Sequence, residues 1–226
     1  HMPSMTFEAI NERDIFWKKI ENRLNSINPD RLSKDQKINY RIFSRIVNEK
    51  INEIKFKSFL MPINTDSGFH TGLIRIQRAM PFQTISDYKN YIARLNEFPR
   101  YFDEQIVLMK EGLRLGITIP QAVLNDYELT ISSHIVLDPD ESLFFNPFNK
   151  IPKNISINDR DILIQEGRQA ILMSVVKAYG DFLDFFISEY RQGARVTLAA
   201  TEMPNGSEYY QFKVKQFTTL DYTPEE

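Results

Sequence analysis

The sequence of 226 residues has no cysteine, only eight glycines and no long apolar run. The lack of cysteine excludes disulfides, thiolate metal ligands and a cysteine nucleophile from these residues, but it does not fix the cellular compartment. A membrane-spanning helix needs about 18 or more consecutive apolar residues, so the sequence predicts no transmembrane segment. The low glycine content leaves few positions for permissive loops.

Neither sign of charge is in excess. Lysine and arginine number 28 against 30 aspartates and glutamates, which gives a formal net charge of -2. This balance argues against nucleic acid as the main partner, because phosphate binding relies on concentrated positive charge. Hydrophobic residues make up 42% of the chain, and 17 phenylalanines and 10 tyrosines predict a globular protein with a well-filled aromatic core.

Histidine is also scarce. His1 belongs with Met2 to a cloning remnant, and we interpret residues 1–5 as this remnant and a disordered start. His70 and His134 have no second histidine at a metal-ligand spacing, so a self-contained zinc site is not expected and a structural or solvent-exposed role is favoured for both. We therefore assign no catalytic residue and no metal ligand to this sequence.

Helical periodicity dominates the rest of the chain. Apolar spacings of three and four, bounded by cap residues and prolines, predict helices over 7–27, 33–54, 73–80, 84–95, 99–116, 120–131, 158–190 and 207–217. Gly167 and Gly180 inside the seventh of these predict a kink or a close helix crossing. The segments 56–71 and 138–157 carry prolines and aromatic residues, so we expect irregular connections held against the body.

The predicted fold class is therefore mainly α, a multi-helix array with irregular proline- and aromatic-rich connections. The array forms either a single body or two closely packed lobes. No flexible linker or internal repeat divides the chain, and we interpret residues 6–226 as one helical domain.

The last four residues, Thr223 to Glu226, have the pattern of a helix start. Thr223 is a preferred N-cap, proline follows at the first helical position, and Glu226 completes a capping box. This pattern leads us to expect that the chain is the front part of a longer protein.

Two pairs near this end are candidate binding residues. Tyr209 and Tyr210 are adjacent on a predicted helix and so point in different directions, which lets one pack while the other presents its hydroxyl. Thr218 and Thr219 lie behind them. A core role for the tyrosines is the simpler alternative.

Several segments, in order, resemble the bacterial family called domain of unknown function 885. They are PFQTISDYKNYIARL (81–95), LMKEG (108–112), GITIP (116–120), MPNG (203–206), the pair Tyr209-Tyr210 and TTLDYTPEE (218–226). No one segment is diagnostic, but their order and spacing together are fairly specific.

The resemblance implies a function for the longer protein. Full-length members of the family look like all-helical zinc metallopeptidases, similar in style to thimet oligopeptidase and carboxypeptidase Taq. Their zinc would be held by a His-Glu-containing helix beyond Glu226, so these 226 residues would bind no catalytic zinc and cleave no peptide alone. They would form one wall of a substrate cleft, with Tyr209, Tyr210, Thr218 and Thr219 as cleft candidates. The expected partners are the C-terminal catalytic region and, in the full-length protein, a peptide substrate. A lipoprotein-like location in the bacterial cell envelope or periplasm is also implied.

A second hypothesis comes from the aromatic connection between Leu143 and Phe148. If this connection lay exposed, it would form an apolar groove for a partner. The chain would then be a helical binding or scaffold module without hydrolase activity.

Overall fold

A computed structural model describes residues 2–65 and 67–223. Over these residues the chain is helical and has no β-strand, apart from an isolated antiparallel bridge between Ile63 and Gly68. The mainly α fold class is therefore confirmed. The α-helices are α1 (Phe7–Asn25), α2 (Lys34–Lys55), α3 (Ile85–Leu95), α4 (Phe98–Leu115), α5 (Glu128–Ser132), α6 (Ile157–Ala170), α7 (Lys177–Phe185), α8 (Arg191–Gly193) and α9 (Gly206–Thr218).

The predicted caps at Ser33, Thr84 and Gly116 are present in α2, α3 and α4. The hydroxyl of Ser33 accepts from the backbone amide of Gln36 while the Gln36 side chain accepts from the Ser33 amide, which completes a capping box at the start of α2. Thr84 forms the equivalent box with Asp87 before α3. Gly116 ends α4 with a φ of 69°, a left-handed conformation that suits glycine.

Three predicted elements differ from the structure. The helix expected over 120–131 is a 3₁₀ turn at Gln121–Val123, followed by a break at Asp126 and then the short α5. Asp126 adopts a φ of 58°, and aspartate is one of the few residues that enter this region readily. The segment Leu73–Ala79 is a 3₁₀ helix. The start of α9 has Asn205 as its N-cap, in a left-handed conformation, and not Ser207.

The long helical segment near the C-terminus is continuous from Ile157 to Gly193. It contains two π-helical turns, Ile171–Val176 and Phe186–Tyr190, which separate α6, α7 and α8. The irregularities of this segment therefore lie at these two turns and not at Gly167 or Gly180, where the sequence predicted them.

Aromatic side chains fill the core between α3, α4, α6 and α7. Phe102 on α4 is buried and lies between Phe69, at 5.0 Å between ring centroids, and Tyr179, at 4.9 Å. Most of these neighbouring rings meet edge to face, the arrangement that aromatic quadrupoles favour. The aromatic core that the composition predicts is therefore present.

The connection Leu143–Lys150 is a 3₁₀ helix pinned to this core. The hydroxyls of Tyr88 and Tyr91 on α3 donate to the carbonyl oxygens of Pro147, at 3.2 Å, and Phe144, at 2.9 Å. Phe144, like Phe145 and Phe148, is buried. Leu143 is 53% exposed, but the burial of the three phenylalanine rings removes the aromatic surface that the scaffold hypothesis requires of this connection.

Gly167 allows one of these rings to approach α6 closely. A Cβ atom at Gly167 would lie 2.5 Å from the ring of Phe148, whereas one at Gly180 would have no neighbour within 4 Å. The close contact at Gly167 is thus with a side chain of the connection and not the kink or helix crossing that the sequence predicts, and a Cβ at Gly180 would meet nothing.

This difference gives a matched pair of substitutions. We expect Gly167→Ala to lower the free energy of unfolding by about 2 kcal/mol, because the buried ring must move. We expect Gly180→Ala to raise it by about 0.5–1 kcal/mol, because alanine is the better helix former and meets no obstacle. Urea unfolding followed by circular dichroism measures both, and equal effects at the two sites would contradict the packing described.

The start of the chain is held against α4. The amide of Met5 donates to the carboxylate of Glu104 at 2.6 Å, and the Arg100 guanidinium donates to the carbonyl of Met2 at 3.1 Å. Residues 2–5 thus have defined contacts where the sequence predicted a disordered start. The interpretation of 6–226 as a single domain stays a prediction.

Candidate functional site

The candidate residues lie on α9, which packs along the outer side of α2. The Lys55 ammonium contacts the Glu208 carboxylate at 3.4 Å, and the Arg45 guanidinium donates to the carbonyl of Gln216 at 2.9 Å. The two helices are therefore antiparallel, since the end of α2 meets the start of α9.

Hydrogen bonds from Arg195 hold the loop that precedes α9. The Arg195 guanidinium donates to the carbonyl oxygens of Thr118, Thr197 and Ala199 at 2.7–2.8 Å. Just beyond, a Cβ atom at Gly206 would lie 2.1 Å from the carbonyl oxygen of Ala200, so only glycine fits the first position of α9. These contacts set where the tyrosines that follow are placed.

Tyr209 and Tyr210 point in different directions, as adjacent residues of a helix do. The Tyr209 ring is half-buried and meets the Phe56 ring of α2 edge to face at 6.1 Å, and burial raises the pKa of its phenol. Tyr210 is exposed and presents its hydroxyl to solvent. Tyr209 therefore packs and Tyr210 is accessible.

The two threonines lie at the opposite end of α9 and do not join the tyrosines. The Thr218 hydroxyl donates to the carbonyl of Val214 at 2.8 Å, an interaction within its own helix. Thr219 ends the helix with a φ of 67°. The structure thus brings neither threonine to the tyrosine pair.

A solvent-open groove lies between α2 and α9, with a volume of about 460 Å³. Its aromatic floor is formed by Phe56 and Phe212, whose rings stack at 5.5 Å, and the side-chain amides of Asn48, Asn52 and Gln211 lie along its walls. We call it the α2–α9 groove. None of the four candidate residues lines it, although Tyr209 packs against its floor.

Sequence reasoning missed Lys213, which is half-buried beside this floor. Its ammonium lies 5.2 Å from the centre of the Phe212 ring and donates to the side-chain oxygen of Gln216 at 2.8 Å. Burial lowers the pKa of Lys213. The spacing of Tyr209 and Lys213, four residues apart on one helix, is the signal that could have found this placement, since Lys213 also lies 5.6 Å from the centre of the Tyr209 ring.

A buried histidine forms the other unusual polar feature. The His70 Nε2 lies 3.0 Å from the Thr130 hydroxyl, which itself donates to the carbonyl of Tyr127 at 2.7 Å. Since the threonine proton is used there, Nε2 carries the ring proton and Nδ1 is an acceptor that the described residues leave without a partner. The structural role predicted for His70 fits this burial.

His134 lies close to the same cluster. Its ring stands 4.5 Å from that of Tyr179, whose hydroxyl donates to the carbonyl of His70 at 2.8 Å. Burial, and secondarily the proximity of His134, lowers the pKa of His70 to about 4. Burial lowers the pKa of His134 as well. Both imidazoles are therefore neutral at pH 7.

Within residues 2–65 and 67–223, no cluster of three or more histidine, cysteine, aspartate or glutamate side chains is able to hold a metal ion. No helix in these ranges is both long enough and apolar enough to cross a bilayer.

These features define an all-helical protein with an aromatic core and an open groove between α2 and α9. Its family can be stated. The chain belongs to the family described as "Bacterial protein of unknown function (DUF885)", whose model matches residues 1–226. The family resemblance read from the sequence is thereby confirmed.

A solved structure from Colwellia psychrerythraea, described as a "putative lipoprotein", is similar to the chain with a TM-score of 0.85 and 18% sequence identity. At this identity the likeness establishes the fold alone. The match covers 97% of this chain and 40% of the other, so these 226 residues span about two fifths of that relative's length. No curated protein matches the chain.

Proposed function

We propose that this chain is the non-catalytic N-terminal helical region of a longer zinc-dependent metallopeptidase-like protein and forms one wall of its substrate cleft. The observation that carries the proposal is the match in fold over 97% of this chain to only 40% of a relative. In this proposal the catalytic zinc and its ligands belong to the remaining polypeptide, as the family resemblance implies.

The α2–α9 groove supports a role in holding peptide. Side-chain amides such as those of Asn48, Asn52 and Gln211 donate and accept hydrogen bonds, which suits the alternating groups of a peptide backbone. The rings of Phe56 and Phe212 offer an apolar surface to a peptide side chain. Tyr210 is exposed on the same helix but outside this groove, and we propose that it contributes a phenol hydroxyl to the cleft wall.

The cell envelope is the proposed location. The support is the description of the Colwellia psychrerythraea relative as a "putative lipoprotein", together with the family membership.

The peptidase proposal can be tested on a family member as long as the solved relative. We expect about one zinc ion per chain by elemental analysis, and cleavage of a peptide mixture that a chelator abolishes and added zinc restores. The 226-residue chain, assayed in parallel, is expected to give neither. A metal-free longer protein with no hydrolase activity would refute the assignment.

Tyr210→Phe in the longer protein tests the cleft wall. Loss of one substrate hydrogen bond is expected to lower kcat/KM about tenfold. Tyr222→Phe, which removes another exposed phenol beyond α9, is the control and should change little. Unchanged kinetics for Tyr210→Phe would remove this residue from the cleft.

A further inference from the structure

The hairpin formed by α1, α2 and their link exposes large apolar side chains along one side. Each is more than two fifths exposed, and they are Phe16, Ile27, Ile38, Ile42, Phe43 and Ile46. We call this set the hairpin face. A contiguous apolar surface on two adjacent helices is typical of a contact with further protein.

The hairpin face is continuous across both helices. Ile38, Ile42 and Ile46 follow one another at intervals of four, so they lie on one side of α2. Phe43, next to them, lines a cavity of about 540 Å³ together with Ile20 and Ile27 of the first half of the hairpin. The cavity therefore joins the α1 and α2 parts of the face.

Helix α9 leaves most of this face uncovered. It runs along α2 only as far as Arg45, whose guanidinium holds the carbonyl of Gln216. Ile42 lies three residues before Arg45, about 4.5 Å further along the axis of α2, and is 55% exposed. Helix α9 thus leaves Ile42 and the part of the hairpin face before it uncovered.

The end of α9 is itself apolar and exposed. Phe217 is 83% exposed, and Leu220 and Tyr222 after it are also exposed. The carbonyl of Tyr222 accepts from the Gln211 side chain, which keeps these residues beside α9. These residues therefore add exposed apolar surface beside α9.

We infer that the hairpin face is covered by the polypeptide that, in a family member as long as the solved relative, lies outside these 226 residues. One observation favours this occupant over a second copy of the chain: about three fifths of the relative's length lies outside the matched region. The inference rests on the proposed placement of this chain within a longer protein, but not on its being a peptidase.

The lack of cysteine provides the test. Ile42→Cys introduces the only thiol of the 226-residue chain, so its rate of reaction with a maleimide reports the exposure of the hairpin face. The same substitution is made in the longer protein, where the labelled peptide is quantified by mass spectrometry. Ile38→Cys, one turn away, provides a second reporter if the first variant of the longer protein fails to fold.

We expect rapid labelling of Ile42→Cys in the 226-residue chain and labelling slower by on the order of 100-fold in the longer protein. Ile15→Cys is the matched control. Ile15 is 59% exposed and lies nine residues before the buried Leu24, on the opposite side of α1, so it should react equally in both proteins.

Equal rates for Ile42→Cys in the two proteins would overturn the inference. So would labelling in the 226-residue chain that slows as its concentration rises, because a second copy would then be the occupant. Protection in a longer protein that lacks zinc would uphold the hairpin face as a contact while refuting the peptidase proposal.

Discussion

Phe102→Ala is expected to lower the free energy of unfolding by about 4 kcal/mol, the largest effect of the substitutions considered. Phe102 is buried, and its ring centroid lies 4.9–6.0 Å from those of Phe69, Phe98, Tyr179 and Phe182. Removing the ring forfeits its burial and leaves a cavity among rigid rings that cannot collapse to fill it.

Urea unfolding monitored by far-ultraviolet circular dichroism measures this loss. Phe102→Leu, which keeps most of the volume, should cost about 1–2 kcal/mol and keeps the test valid if the alanine variant does not fold. Phe217→Ala, at an exposed phenylalanine, should stay within about 0.5 kcal/mol of the parent. A loss below 1 kcal/mol at Phe102 would contradict the packing of the aromatic core.

Acid is expected to destabilise the protein through His70. Its pKa is about 4 in the folded chain against 6.5 for an exposed histidine, because burial opposes the charged form. The unfolded chain therefore binds the proton first. The stability that depends on a neutral His70 is fully present above pH 6.5 and is lost as the pH falls towards 4. The free energy of unfolding should therefore fall by about 3 kcal/mol between pH 7 and pH 4.

His70→Phe removes this titration. Its free energy of unfolding at pH 7 should be lower, because the bond to Thr130 is lost, but it should fall less steeply between pH 7 and 4. Comparison with His134→Gln separates the two imidazoles, since the pKa of His134 is also lowered by burial and its titration has the same sign. Parallel pH profiles for His70→Phe and the parent would show that folding does not lower the pKa of His70.

Local sequence signals predict the front half of this fold well. Helices α1 to α4 carry their own caps and apolar stripes, and the boxes at Ser33 and Thr84 are formed within four residues. The break at Asp126 is less predictable, because Pro120 and the apolar residues after it also fit a helix. Asp126 adopts its left-handed conformation in a turn that lets α5 pack on α7.

The candidate site was predictable only in part, for a similar reason. Helical geometry alone separates the directions of Tyr209 and Tyr210. The packing of Phe56 against Tyr209 and Phe212 joins residues more than 150 positions apart, and no local pattern encodes that contact. Thr218 and Thr219 were grouped with the tyrosines by sequence proximity, yet the length of α9 separates them.

The bonds of Arg195 and Arg45 have a consequence for the order in which the molecule opens in acid. Both guanidiniums hold α9 and its leading loop through carbonyl oxygens, which neither gain nor lose protons. Acidification therefore leaves these tethers intact while it charges the imidazole at the centre of the helices. We therefore expect these carbonyl contacts of α9 and its loop to persist at a pH at which His70 is already charged.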